Sequence, residues 1–554
     1  MKRFWSMLLV GAFLLCAAQT ARADIFDVPC SVAALINAIT TANATPGAHT
    51  LNLAGACTYS LSAVNNADAA GDNGLPRITG RMTLAGGPNT IIERQPGTPE
   101  FRFFQVENAA ELTLRQLTLR NGRNAADPKI DGGAVYNNGG TVSLSGCTLA
   151  NNTAGCGGAI FTAAGTLTVT GSRFSDNAGF VCGGGAILGG GIVNIYSSTF
   201  SGNRGAEAGA VGVWGRLTLT DSSFFNNRAQ RDADPSSGGA VSILTRDALA
   251  VITGSTFLSN TVSSLLARGG AIVTEGTLTV INSTFYANAA DDRGGAIAIE
   301  EGNVILRHVT ISGNGAAYGG GVFVGGVLRL ENSILADNEI GNNCGVLGGA
   351  ILNGGGNLRY PFDDDSCVGF YGNPRLKAPA DNGGVTPTMA LDRASDAIDR
   401  IDGENGCGVG VETDQRGVKR PQPAWARCDC GAYEKQTYGP SDLDARCFIA
   451  TAAFGSPLDP CVTVLRTFRD RFLVANALGR AFVAWYYDAS PAWAARVAGS
   501  KLLRPAVRAA LLPVSALAWI ALSWNWPATG FSALLLVAWI WRKRQPRRGH
   551  SAPA

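Results

Sequence analysis

The chain has 554 residues, 46% of them hydrophobic and only 16% charged, a balance that excludes an intrinsically disordered protein. Glycine is the conspicuous excess at 71 residues, and in such a chain it serves turns rather than a flexible linker. The net charge of +3, much of it from one C-terminal basic cluster, is too small for an electrostatic nucleic-acid footprint, so no nucleic-acid partner is implied.

Segment 1–23 reads as a secretory signal peptide: Lys2 and Arg3 form the basic start, "MLLVGAFLLCAA" the apolar core, and "ARA" precedes Asp24 as a small-residue cleavage site. Cys16 lies within it, and bulky Leu15 before it speaks against a lipidation signal. Twelve cysteines remain, and an even number in an exported chain favours disulfides. There is no CxxC, and His49, His308 and His550 are scattered, so a zinc site lacks its usual ligand pairs.

Residues 24–80 read as a cap and first coils. In "SVAALINAITTAN", Val32, Leu35, Ile36 and Ile39 follow helical spacing, which predicts an amphipathic helix set against the strands "HTLNL" and "TYSL". Cys30 and Cys57 flank this lid and are expected to staple it.

Across 81–371 the chain repeats itself. A Gly-Gly-Ala-apolar tetrad, or a near variant, starts at 132, 157, 184, 238, 269, 294 and 319, with a degraded copy at Ala208. Between tetrads an apolar residue precedes an asparagine, at Asn152, Asn177, Asn203, Asn227, Asn260, Asn288, Asn314 and Asn338. These asparagines are 24 to 28 residues apart, with one longer step at the insertion "RAQRDADPSS". A fixed period of this size predicts a solenoid. Within a unit, "AIVT", "LTVIN" and "STF" are short, β-branched and alternating, which suits strands. Three such strands per repeat describe one coil of a single-stranded parallel β-helix, each coil about 4.8 Å from the next. Asparagines at one turn of every coil are then expected to form a structural hydrogen-bonded ladder. Cys156 and Cys182, one coil apart, fall within disulfide reach, and Cys344 and Cys367 are a further candidate pair.

The paired "GGAI" and "FxxN" motifs resemble the repeats of polymorphic outer membrane proteins over about Gly132 to Asn338. The resemblance implies a right-handed, pectin lyase-like β-helix displayed on a cell surface, often adhesive. "CSVAALINAITTAN" is similar to a divergent CSLREA segment. Over 372–434, "GNPRLKAPADNGGVTPTMALDRASDAID" and "TDQRGVKRPQPAWARCDCGAYE" resemble the end of the choice-of-anchor Q domain, whose members share a β-helical body and vary in their envelope anchor. Here Cys430 replaces a usual Ile, leaving the partner of Cys407 open between Cys428 and Cys430. Over 435–508, "CFIATAAFGSP" resembles the start of the CFI-box C-terminal domain, with Phe454 in place of Tyr. That likeness implies a Cys447–Cys461 pair and a helical stem with Leu465, Phe468, Phe472, Ala475 and Phe482 on one side.

Residues 509–541 are almost free of charge and predict one transmembrane helix, tilted or kinked at Pro527, with Trp524, Trp526, Trp539 and Trp541 as interfacial anchors. Arg542, Lys543, Arg544, Arg547 and Arg548 in the tail 542–554 act as the stop-transfer cluster, placing the tail in the cytoplasm and the body in the periplasm or on the cell surface.

For chemistry, the best constellation is Glu275 and Glu300, equivalent positions one coil apart. Arg268 and Arg293 stand at the other end of the same strand. Stacked carboxylates fit a retaining glycosidase pair, or, with Asp291 and Asp292, a Ca²⁺ site. The seven residues between Glu and Arg in each coil span about 20 Å if extended, so the two types are not expected to meet. Asp363 to Ser366 reads as a solvated loop. No P-loop, HExxH or G-x-S-x-G motif occurs, and no cofactor is implied. The expectation is a non-catalytic membrane-anchored rod binding a glycan or a surface protein, with a polysaccharide lyase or glycoside hydrolase as the alternative.

Overall fold

The structure, a computed structural model, describes residues 23–124, 131–230, 237–338, 340–401, 407, 411–422 and 427–436. In the C-terminal part it describes 450, 453–454, 460–473, 478–479, 482, 486, 497, 500 and 503–523. Two compact units result, Met1–Lys435 and Gln436–Ala554.

The first unit is a parallel β-solenoid of about 12 turns. A representative coil runs through Ile272–Thr274, Thr277–Ile281, Thr284–Tyr286 and Ala289–Ala290. The first two segments of every coil join a 21-stranded first sheet, the third a 13-stranded second sheet, and the fourth a 7-stranded third sheet. The register places like on like: Leu278 beside Val304 and then Leu328, with each of these residues fully buried. Alternation of apolar and polar residues therefore fills the interior with columns, because successive side chains of a strand point to opposite faces. One column is Phe174, Phe200, Phe224, Phe257 and Phe285, whose rings stack 4.7–5.0 Å apart within 11° of parallel.

The repeated glycines divide their work. The first Gly of each tetrad has φ between +61° and +77°, which a residue with a Cβ resists. At the second, from Gly133 to Gly295, an added Cβ would collide with a backbone carbonyl oxygen of the next coil's second Gly. Ala208, in the degraded copy, is not left-handed, which is why a Cβ is tolerated there.

The expected asparagine ladder is present. From Asn152 to Asn314 each Nδ2 donates to Oδ1 of the next ladder asparagine at 2.9–3.0 Å. Each of these Nδ2 groups also donates to a carbonyl of the preceding coil. A second ladder was not foreseen: the hydroxyls of Ser172, Ser198, Ser222, Ser255 and Ser283 accept a backbone N–H from the coil before, at 3.1–3.2 Å. Cys147, buried and unpaired, occupies the register position of these serines one coil before Ser172.

Helix α1, Val32–Ala44, closes the N-terminal end, with Ser31 as its cap and Leu35, Ile39 and Ala42 buried on the coil below. Cys30 and Cys57 are joined, as are Cys156 and Cys182, Cys344 and Cys367, and Cys407 and Cys428, with Cα separations of 5.0–5.7 Å. The partner of Cys407 is thus Cys428, and Cys430 is buried and free. Cys447 lies outside the described residues, and with it the expected pair to Cys461.

Residues 372–434, read as the last part of the β-helix, add no rung among the described residues. The ladder ends at Phe370–Tyr371, and beyond it occur only isolated antiparallel bridges. This lobe instead folds back onto the outer side of the second sheet. Thr256 donates to the Pro387 carbonyl and Thr284 to Gln415 Oε1, both at 2.7 Å, while the Ala432 N–H donates to Thr310 Oγ1 at 3.0 Å. Two ion pairs brace it from within, Arg420–Glu434 at 2.8 Å and Arg416–Asp414 at 2.6 Å. Burial and neighbouring Glu434 push the Asp429 carboxyl up to about 8.

In the second unit, α2 (Pro460–Phe468) passes into a wider π turn at Arg469–Leu473. Phe472 is buried and Leu465 packs in the small core, but Phe482, expected on the same side, is half exposed. Helix α3, Leu503–Ser523, contains the 20-residue stretch Leu503–Leu522, in which 18 consecutive residues have a mean hydropathy of 1.6, long and apolar enough to cross a membrane by length and composition. It begins six residues earlier than the predicted span. Residues 524–554, with the expected anchors Trp524, Trp526, Trp539 and Trp541, the kink at Pro527 and the stop-transfer cluster Arg542 to Arg548, lie outside the described residues.

Candidate binding groove

The lobe 372–434 covers the outer side of the second sheet over the coils of Thr256, Thr284 and Thr310, while the first sheet keeps part-exposed faces along its length. Its longer strands present a flat, hydroxyl-rich surface: Thr83, Thr113, Ser143, Thr168, Asn194 and Thr218 share one outward column. Its short strands form the floor of a groove. The outward column there runs through Tyr136, Phe161, Leu188, Gly212, Ser242, Val273, Ala298 and Phe323. One wall is the turn before each tetrad, where Arg268, Arg293 and Tyr318 align by β-bridges, and the other is the corner after each strand, with Glu275 and Glu300.

The N-terminal end of this groove is closed. The hairpin Asn66–Asp68 with Gly71–Asn73 lies over it, Gln105 donating from Nε2 to Asp68 Oδ2 and Glu107 Oε1, both at 2.8 Å. The Arg102 guanidinium is buried over the Tyr136 ring at 4.8 Å, and burial lowers its pKa to about 10. Burial likewise raises Asp131 to about 6. Tyr136 stacks on Phe161 at 5.8 Å, and Phe161 meets Trp214 at 5.9 Å.

Further along, the structure overturns one expectation. Arg268 and Glu300 do meet: Nη1 and Oε2 are 3.0 Å apart, with side chains 28% and 15% exposed. The contact runs to the next coil, across a strand of only three residues, about 10 Å long. The tetrad and the corner both turn out of that strand, so two long side chains close the gap. Asp292 pairs with Arg293 at 3.1 Å, and the Arg293 guanidinium lies 5.0 Å over the Phe323 ring. Asp291 and Glu275 are exposed. Val273, Ala298 and Phe323 form a small apolar cluster between the walls, and all three are buried.

Burial raises the Glu300 pKa, opposed by Arg268 and Arg293 and reinforced by Asp292 and Glu275. Burial also raises Glu275, helped by Glu301 and opposed by Arg246. The sequence reading had not singled out Arg246 or Glu301. Arg246 reaches past the coil of Glu275 to Glu301, Nη2 donating to Oε1 at 2.6 Å. The signal was the corner "LTRDA", longer than the two- or three-residue corners of the neighbouring coils.

The calcium reading gains nothing from this geometry. Among the described residues the one group of three or more metal-ligating side chains in mutual reach is Asp131, Cys156 and Cys182, whose sulfurs are joined to each other. Asp291 and Asp292 belong to no such group. The ladder asparagines are buried and committed to one another, which makes them scaffold.

No protein-family model matches the chain, and neither a curated protein nor a solved structure does. The site therefore rests on its own geometry: a line of stacked short strands, covered at one end by the hairpin and flanked by charged side chains over the coils of Arg268 and Arg293.

Proposed function

We propose that the chain is an exported rod, held at a membrane by α3, which binds an extended ligand along the groove of the first sheet. The ligand of choice is a glycan, with a surface protein as the other candidate. The observation that carries this reading is the register of the first sheet, which sets part-exposed polar side chains of successive coils in line from Thr83 to Thr218 and aligns Arg268, Arg293 and Tyr318 beside its short strands. Flat repeated faces bind extended partners through many modest contacts, one set per coil. Four disulfides support an oxidising compartment, and the resemblances to surface-displayed and choice-of-anchor proteins agree with display outside the cytoplasm.

The test is a glycan array probed with the full-length protein in detergent micelles, followed by incubation with each bound polysaccharide. Saturable binding without product supports the proposal. Chain shortening that disappears in Glu300→Gln establishes the hydrolase or lyase alternative instead. No retention on any glycan or surface-protein probe leaves the rod as a spacer.

A further inference from the structure

We propose that His308 is an acid-released clasp, which holds the lobe 372–434 on the solenoid at neutral pH and frees it as the medium acidifies. The proposal is independent of the glycan reading. The lobe is docked along one corner of the rod, at the residue that follows the long first-sheet strand of each coil. On successive coils these residues are Gly254, Asn282, His308 and Asn332, all left-handed with φ between +47° and +64°. Each meets the lobe. Thr386 Oγ1 donates to the Gly254 carbonyl at 2.8 Å, and Asn282 Nδ2 to the Thr413 carbonyl at 2.7 Å. The Gly431 N–H donates to the Asn332 carbonyl at 2.7 Å, and His308 Nε2 lies against the Cys407 carbonyl within hydrogen-bond reach. Of the four, only His308 titrates near neutral pH.

The ring is fully buried, and its Nδ1 makes no hydrogen bond. From the solenoid it is faced by Arg307, which is paired with Glu331 of the next coil. From the lobe it is faced by Arg420, which is paired with Glu434 at 2.8 Å and donates to the Asp429 carbonyl at 3.0 Å. Burial first, and the Arg420 guanidinium next, hold the ring well below the usual histidine range, against the Cys407 and Gly431 backbone, which favours the proton. A proton on His308 thus adds a third cation to two guanidiniums whose carboxylates are already committed. Once the lobe lifts, the ring regains water and an ordinary pKa of about 6.5. The docked state has the lower pKa, so the share of docking that His308 supplies is fully present above about pH 6.5 and is lost as pH falls below it. Asp429 and Glu434, both raised by burial, act in the opposite sense, but inside the lobe. Asp429 accepts the N–H groups of Asp399 and Lys435, and Glu434 holds Arg420. Those carboxylates support the lobe's own fold, whereas His308 sits in the seam. Release uncovers the outer side of the second sheet at Thr256, Thr284 and Thr310, a face hidden while the lobe is docked.

The experiment is limited proteolysis of full-length protein in micelles from about pH 7.5 to about pH 5.5, the range in which an exposed histidine titrates. Each rate of cutting within 372–435 is normalised to an unfolded substrate at the same pH, and circular dichroism follows the β signal of the rod. Wild type is expected to be cut about tenfold faster at the acid end, the full linkage of one histidine over that range, while the β signal persists. His308→Asn places at this corner the residue that Asn282 and Asn332 already supply there, so it suits the left-handed backbone, keeps a donor and removes the titration. Its profile is expected to be flat, and so is that of His308→Gln. A flat wild-type profile overturns the proposal, as does an equal rise in both variants, which moves the proton to another group. Loss of the β signal together with the lobe overturns it by making the effect global. Fast cutting of both variants at neutral pH overturns it as well, since the packing of the ring and not its proton is then the clasp.

Discussion

A single asparagine of the ladder fills all its capacity: Asn227 Nδ2 donates to Phe200 O and Asn260 Oδ1, and its Oδ1 accepts from the N–H and Nδ2 of Asn203. Removing the amide strands groups on both flanking coils, so Asn227→Ala is expected to destabilise the rod by about 3 kcal/mol or more, read as a lowered denaturation midpoint. A shift under about 0.5 kcal/mol contradicts the ladder's role. Titration gives a second residue-scale prediction. The Asp131 carboxyl is raised from 3.8 to about 6, so the folded state holds its proton more tightly than the unfolded chain. Its contribution to stability therefore falls as pH rises from about 4 to about 6. The effect is on the order of 1 kcal/mol once screening of a part-exposed group is allowed for. Asp131→Asn should flatten that fall in a melting series, and an unchanged slope counts against it. At this scale the sequence announced which asparagines and glycines matter, because copying exposed them. It did not announce Ser172 to Ser283, since serine is common in any turn, nor that His308 lies buried against the lobe.

At the scale of the element, the coil was legible because period and strand alternation agree. The cap helix was legible from its spacing, and Leu35 and Ile39 are buried as that spacing requires. The lobe 372–434 was not legible as a cover. It is held by contacts between residues about 131 positions apart, which no local pattern reports. Gln415 is the pin: its Nε2 donates to Thr256 Oγ1 and Thr386 Oγ1 at 2.7 and 2.8 Å, and its Oε1 accepts from Thr284. Gln415→Ala should loosen the lobe while the rungs persist, so limited proteolysis cuts within 372–435 earlier than in wild type. Equal cleavage rates contradict the pin. The Arg268–Glu300 contact was missed for a related reason: linear reach along a chain misjudges two side chains that lean across a short strand into neighbouring coils.

Beside the solenoid, the described residues include one helix long and apolar enough to cross a bilayer, Leu503–Leu522. Membrane anchorage through that helix predicts that the protein stays in the membrane fraction after alkaline carbonate washing and is released by detergent, while release by carbonate alone contradicts it. On the proposed function, an extended ligand lies along the first sheet. Hydrogen–deuterium exchange on the full-length protein with a saturating bound glycan tests that choice most directly. The account predicts new protection in peptides carrying the groove walls and floor, Arg268–Gly276, Arg293–Gly302 and Tyr318–Gly325, with none in the lobe. Protection confined to the lobe or to the third sheet would contradict it.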